Sequence, residues 1–212
     1  MNGFNNFDMV CFINLDHRID RLKQITEQLN KTNIDKNKIN RIPGIYTQNF
    51  GSLGCGKSHT LALETFVNSP ESNQTCLILE DDFEFTQPQD VVNDLINKVF
   101  NSDVNNFDVL MLSSNTVYQF DLDNTPFVTK IIDAQTLSGY VVSRKFAPLL
   151  LHNFKQGVSL LEPFGKSVPE YCVDMYCKKL QPLSNWYCIN PKIGKQAASY
   201  SDIEKGHVDY GV

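Results

Sequence analysis

The sequence predicts an α/β fold, a mostly parallel central sheet flanked by helices, and two observations carry that prediction. Short, continuously apolar runs recur along the chain, and segments with an apolar stripe at helical spacing alternate with them. Runs buried on both faces and separated by helices are the pattern of strands joined by helical crossovers.

Residues 9–14 form the first run, read as a buried strand. Residues 18–29 follow with Ile19, Leu22, Ile25 and Leu29 on one helical face, giving a β-α opening. A second strand is expected at 39–45. Gly51, Gly54 and Gly56 then punctuate a loop ahead of a helix at 58–68. Residues 76–79 are again wholly apolar, 91–100 carry an inner stripe of Val92, Leu95 and Val99, and 108–112 make another strand. Beyond this the pattern loosens. Residues 127–133 alternate like an exposed strand, 140–142 form a short one, and Ser143 is placed to cap a helix reaching Phe154. One more helix is expected at 168–180 and a last strand at 186–189, while the tail after Asp202 has no periodicity. Without a repeat or a low-complexity linker, residues 1–212 are expected to form one domain.

Composition narrows the function classes. With 42% hydrophobic and 20% charged residues and a net charge of -5, the chain reads as an ordinary globular protein. Basic and acidic residues are interspersed, which argues against a nucleic-acid partner. No stretch reaches transmembrane length, and residues 1–8 lack the basic, apolar and small-residue order of a signal peptide, so a cytoplasmic location is expected. The six cysteines lack C-x-x-C spacing and read as free or buried thiols. Sequons at Asn30 and Asn73 carry little weight without a secretory signal.

Two motifs carry chemistry. Gly51-Ser-Leu-Gly-Cys-Gly56-Lys57-Ser58 matches the phosphate-loop pattern, and Glu80-Asp81 after an apolar run resembles the acid that holds Mg²⁺ in such NTPases. That loop requires a buried strand feeding straight into it. Residues 46–50 are too polar for one, so the NTPase reading stays an alternative on a pattern match alone. The second motif is Glu80-Asp81-Asp82, a DxD-like trio delivered by a buried strand to its carboxyl end, where open α/β sheets bind ligands. Alternation along the strand would put Glu80 and Asp82 on one face and Asp81 on the other. Hard carboxylate oxygens suit Mg²⁺ or Mn²⁺, which commonly bind through one or two carboxylates and a substrate's phosphates, although such acids also occur as a solvated strand end.

With these residues in view, four segments resemble glycosyltransferase family 25, the lipopolysaccharide-type and procollagen galactosyltransferase-like enzymes. They are Phe12-Ile-Asn-Leu-Asp-His-Arg-Ile-Asp-Arg-Leu22, Gly51-Ser-Leu-Gly-Cys-Gly-Lys-Ser-His59, Leu77-Ile-Leu-Glu-Asp-Asp82, and Val173-Asp174 followed by Pro191 and by Gln196 through Ile203. The likeness spans about residues 9–203. One departure lies at Gln135-Thr-Leu-Ser-Gly-Tyr140, where the family often has Gly-Thr ahead of the tyrosine. The resemblance implies a GT-A type fold and a metal-dependent, inverting hexosyltransferase. Its donor would be a UDP-sugar carrying galactose or glucose, and its acceptor a hydroxyl on a glycan, a lipid-linked saccharide or a collagen-like chain. An inactive relative acting as a binding module would share the same motifs.

The resemblance also assigns roles. Asn14, Asp16, Arg18, Arg21, Ser58, His59, Glu80 and Asp81 would bind the nucleotide sugar, though Asp16 and Ser58 fit equally as helix caps and His59 as a buried core histidine. Arg18 and Arg21 could instead pair with Asp16 or Asp20. Asp82 with Glu80 would hold Mn²⁺ or Mg²⁺, and Asp174 would be the base, with Glu170 as runner-up. His207 in the tail is a further candidate near the metal.

Overall fold

A computed structural model describes residues 2–201 and 206–208. In chain order the elements are β1 (Met9–Asn14), α1 (Ile19–Lys31), β2 (Ile39–Pro43), α2 (Gly51–Val67), β3 (Thr75–Glu80), β4 (Phe83–Phe85), α3 (Gln89–Phe100), β5 (Val109–Met111), β6 (Asn115–Asp121), β7 (Val128–Gln135), β8 (Gly139–Ser143), α4 (Ala147–Leu161), α5 (Val173–Tyr176), β9 (Trp186–Ile189), β10 (Gly194–Gln196), β11 (Ser199–Ser201) and β12 (Gly206–Val208).

The central sheet has eight strands in the order β2-β1-β3-β8-β5-β9-β7-β6. Strands β2, β1 and β3 are mutually parallel, as are β5 and β9. Strand β8 lies antiparallel between β3 and β5, and β7 antiparallel between β9 and β6. Only β8 and β7 therefore run against the remaining strands, which gives the mostly parallel sheet that the sequence predicts. Strand β4 pairs with β10, and β11 with β12.

The apolar runs are continuous because both faces of the sheet are covered. Alternate residues Met9, Cys11, Ile13 of β1 and Cys76, Ile78 of β3 join one core with α2 and α4. Val10, Phe12, Leu77 and Leu79 join the other with α1 and α3. A strand with one wet face would have alternated polar and apolar residues instead. The segment before β1 also belongs to the core: a 3-10 turn at Gly3–Asn6 leads in, Phe4 and Phe7 are completely buried, and Phe4 packs edge-on against Phe85.

Three expectations need correction. The glycines at 51, 54 and 56 do not form a loop, since α2 begins at Gly51. Two of them are close-packing sites: a Cβ on Gly54 would sit 2.3 Å from the carbonyl oxygen of Ile45, and one on Gly56 3.1 Å from Val158. Each glycine costs a helix about 1 kcal/mol relative to alanine, which is why they read as breakers in isolation. The segment 168–180 is not one helix either. It is split into a 3-10 turn at Pro169–Tyr171, the single turn α5, and a second 3-10 stretch, Cys177–Leu183, that contains Pro182. Prolines at 169 and 182 punctuate it, and it packs as turns against α4, where Gly157 admits the Tyr176 ring. Strand β7 is internal and half-buried rather than exposed, because β6 covers its outer edge. Strand β6 itself left no periodic signal, for nearly every residue in it is exposed on both faces.

Candidate active site

The carboxyl ends of β1 and β3 lie side by side, Ile13 opposite Glu80, so Asn14 and Glu80-Asp81-Asp82 emerge together. Strand β3 stops at Glu80, and Phe83 immediately after the acids fixes the exit. Its ring is fully buried against Gly139 and Gly194, where an added Cβ would fall 2.4 and 2.1 Å from ring carbons. Only glycine at both positions lets the ring lie there. The acids are therefore held between a hydrogen-bonded strand and a locked aromatic.

Because the strand ends, the alternation expected for the trio fails. Asp81 and Asp82 share one partner, and Glu80 turns away from them. Arg21 Nη1 from α1 lies 3.1 Å from Asp81 Oδ1 and 3.0 Å from Asp82 Oδ2. Asn14 Nδ2 donates to Asp81 Oδ2 at 2.7 Å, and Gln196 Nε2 of β10 donates to Asp82 Oδ2 at 3.1 Å. The Asp82 main-chain carbonyl also accepts from Ala197 N, so the late segment around Gln196 is pinned to the trio. Glu80 instead faces α2, where His59 Nε2 lies 3.0 Å and Cys55 Sγ 3.9 Å from Oε1. The other ring nitrogen of His59 lies 3.2 Å from Tyr140 Oη.

Electrostatics separates the three acids. Burial raises the Asp81 carboxyl above its usual range despite Asn14 and Arg21. Asp82 is pushed up to about 7, chiefly by burial and then by the Glu80 charge, against the pull of Arg21 and Gln196. Its Oδ1 is buried and has no hydrogen-bond partner among the described residues. Burial works against the Glu80 charge as well, yet the hydrogen bond and charge of His59, with Arg21 behind, leave that carboxyl below its ordinary value. The orphaned Asp82 oxygen is a hard donor of the kind a divalent cation takes.

Asp16 is exposed and pairs with Arg41 Nη2 at 2.7 Å rather than capping α1, whose N-cap is Arg18. Arg18 forms a fork with Asp20, at 2.8 Å in the closer contact, which holds the Asp20 carboxyl down at about 2. Arg41 of β2, which no sequence motif singles out, holds Asn14 from the other side by donating to Oδ1 at 2.9 and 3.1 Å. Asn14 thus sits as a relay between Arg41 and Asp81.

Ser58 does not open a helix. It lies inside α2, where its hydroxyl donates to Gly54 O and accepts from Ile45 N, fastening the chain after β2 to the helix. The phosphate-loop alternative is overturned with it. Residues 51–58 are helical and cannot cradle a phosphate with loop N-H groups, and Lys57 points outward to Glu162 beside the end of α4.

Asp174 lies in the first turn of α5, which packs against α2. Its Oδ2 accepts from Thr136 N at 3.4 Å, and burial, with a contribution from Glu80, raises its carboxyl. Thr136 stands at φ 73, an unfavourable conformation for a β-branched residue, and it begins a tight link in which Ser138 O accepts from Glu80 N. One short loop therefore ties Asp174 to the acids. Glu170 is exposed on the preceding 3-10 turn. Asp202 and Ile203 of the late motif lie outside the described residues, and His207 is described only through its place in β12. All six cysteines are free thiols, and no helix among the described residues is long and apolar enough to cross a membrane.

No protein-family model matches the chain, and no curated sequence is significantly similar to it. Solved structures are similar in fold. The glycosyltransferase GlyE of Streptococcus pneumoniae TIGR4 superposes with a TM-score of 0.50 at 11% identity, over 87% of this chain and 45% of GlyE. The mannose-1-phosphate geranyltransferase of Thermus thermophilus gives 0.51 at 8% identity, over 91% of this chain and 76% of that one. At such identities the likeness is one of fold, and the fold is of the glycosyltransferase GT-A type.

Proposed function

We propose that this chain is a glycosyltransferase resembling family 25, which moves a hexose, galactose or glucose, from a UDP-sugar to an acceptor hydroxyl with inversion at the anomeric carbon. The observation that carries the reading is the half-used Asp82 carboxylate. One oxygen is held by Arg21 and Gln196, while the other is buried without a partner among the described residues. Asn14 and Arg21 reach Asp81, Arg21 and Gln196 reach Asp82, and His59 reaches Glu80; each comes from one of the family-like segments, which supports the resemblance.

Glu80 and Asp82 would hold Mn²⁺ or Mg²⁺, whose positive charge stabilises a departing diphosphate. The remaining work falls to side chains. Arg21 keeps Asp81 and Asp82 in fixed relative positions and offsets their mutual repulsion. Asn14, braced by Arg41, holds one Asp81 oxygen and leaves the carboxylate oriented for ribose or donor-sugar hydroxyls. Arg18 and Asp16 stand at the rim of the same sheet end, where they suit the polar parts of a nucleotide. Asp174 takes the acceptor proton as it attacks from the face opposite the leaving group. A carboxyl raised by burial is a better base for a hydroxyl than an ordinary one, and the Thr136 N-H keeps it aimed. The acceptor would be a glycan, a lipid-linked saccharide or a collagen-like chain.

The test is a panel of UDP-sugars assayed for metal-dependent UDP release with and without simple glycoside acceptors. UDP with Mn²⁺ should raise the melting temperature and ATP should not. Asp174→Asn should lower transfer by about a hundredfold or more while UDP binding persists. Nucleotide binding without turnover on any donor would favour the inactive binding module instead.

A further inference from the structure

The hydrogen-bonded trio on the α2 side of the acids is more than support for a strand end. We propose that Cys55, His59 and Glu80 form a binding site for a borderline-soft divalent cation, zinc above all, which shares only Glu80 with the Mn²⁺ or Mg²⁺ ligands proposed above and lies on the α2 side of it, away from the Arg21 cluster at Asp81 and Asp82. Cys55 and His59 are four residues apart on α2 and so project from one helical face, directly at the end of β3. Their ligand atoms and a Glu80 oxygen all lie within 4.8 Å of one another, and among the described residues this is the one such set of three.

The spacing suits a four-coordinate ion. With bonds of about 2.0 Å to nitrogen or oxygen and about 2.3 Å to sulfur, a tetrahedral zinc sets its ligand atoms roughly 3.3–3.6 Å apart. Here the His59-Glu80 and Cys55-Glu80 separations are 3.0 and 3.9 Å, one slightly short and the other slightly long. Small rotations of Cys55 and Glu80 would equalise them. The fourth position would fall to water, since Cys55 and Glu80 are only partly buried.

The surroundings also fit. A metal-bound histidine is commonly held by a partner on its other nitrogen, and Tyr140 Oη, fully buried, stands 3.2 Å from His59 Nδ1. That contact leaves Nε2 directed at Glu80 and Cys55. Thiolate and imidazole select zinc or cobalt over Mg²⁺, Mn²⁺ and Ca²⁺. Binding would displace the thiol proton to solvent, leaving a thiolate, an imidazole nitrogen and a carboxylate on the ion.

The experiment uses the whole chain after chelator treatment and needs no donor sugar, so it succeeds or fails independently of the transfer reaction. Cobalt is titrated first and should give a near-ultraviolet sulfur-to-cobalt band and the visible bands of a four-coordinate ion, both erased by one equivalent of zinc. Cys55→Ser should abolish the sulfur band and weaken zinc by about tenfold or more, whereas Cys172→Ser should leave both unchanged. Should Cys55→Ser misfold, the wild-type chain still decides. Stoichiometric zinc, but not manganese, should slow alkylation of Cys55 by about tenfold or more in peptide mapping and spare the rate at Cys172. Cobalt binding without a sulfur band, or Cys55 alkylation indifferent to zinc, would overturn the site.

Discussion

The two flanks of the β3 end handle negative charge differently. On the α1 flank, Asp81 and Asp82 share a permanent cation, Arg21, and two amide donors, Asn14 and Gln196. On the α2 flank, Glu80 meets, among the described residues, no permanent cation but an imidazole and a thiol, His59 and Cys55, with Tyr140 behind them. The first flank keeps its cation at every accessible pH and sets positions. The second consists of neutral or soft donor groups, and it is anchored by the close packing of α2 rather than by a fixed charge. Consecutive residues at one strand end thus supply a rigid site and an adaptable one.

The largest expected effect comes from removing the fixed cation. Arg21→Met leaves two buried carboxylates without their shared partner, and breaking a buried ion pair from one side costs about 3–5 kcal/mol. Urea denaturation should show that loss, with UDP and Mn²⁺ binding abolished in whatever fraction folds. An Arg21→Met chain with unchanged stability would erase the contrast between the flanks. Next is Gly54→Ala, which tests whether the α2 flank rests on packing. The new methyl meets the Ile45 carbonyl at 2.3 Å, and overpacking of this kind costs about 1–3 kcal/mol, outweighing the gain in helix propensity. A stabilised Gly54→Ala would show that the helix is free to shift.

A smaller effect, read through pH, sharpens the account of Asp82. Its folded value of about 7 lies above the ordinary 3.8, so the proton is bound more tightly in the folded state. Its contribution to stability is complete below about pH 4 and is lost as pH rises through about 7. The metal-free wild type should therefore lose stability between about pH 4 and about pH 7, on the order of 1 kcal/mol or more from this group. Asp82→Asn should flatten that slope in urea titrations while lowering metal-dependent UDP release by about tenfold or more. Equal slopes would mean that Arg21 and Gln196 already satisfy the charge.

How far the sequence spoke for this site follows from the kinds of signal it holds. Strands β1 and β3 were legible because burial on both faces leaves unbroken apolar runs, and the acids were legible because they interrupt one. Which way each acid points was not. Alternation holds only while a strand lasts, and the chain leaves the ladder at Glu80, so Asp81 joined Asp82 on Arg21. Gln196 was visible as part of a motif, but its partner lies 114 residues away, a pairing that only the β4-β10 ladder creates. Arg41 had no local signal at all: it occupies one exposed position in a short strand, and its importance comes from what Asn14 happens to need.

The smallest expected effect falls on the residue that the phosphate-loop pattern would rank highest. In an NTPase, Lys57 would contact the phosphates, and its removal would end nucleotide binding. Here α2 carries it away from the acids, to a pairing with Glu162 beside the end of α4. An exposed pair of this kind contributes about 0–1 kcal/mol, and salt screens even that. Lys57→Ala should therefore leave UDP affinity and turnover within about twofold and shift the urea midpoint only slightly, an effect that shrinks in high salt. The glycines around it should behave in the opposite way, because in this chain the G-x-x-x-x-G-K-S spacing serves helix packing, and packing is indifferent to the charge at the lysine but not to a methyl at Gly54.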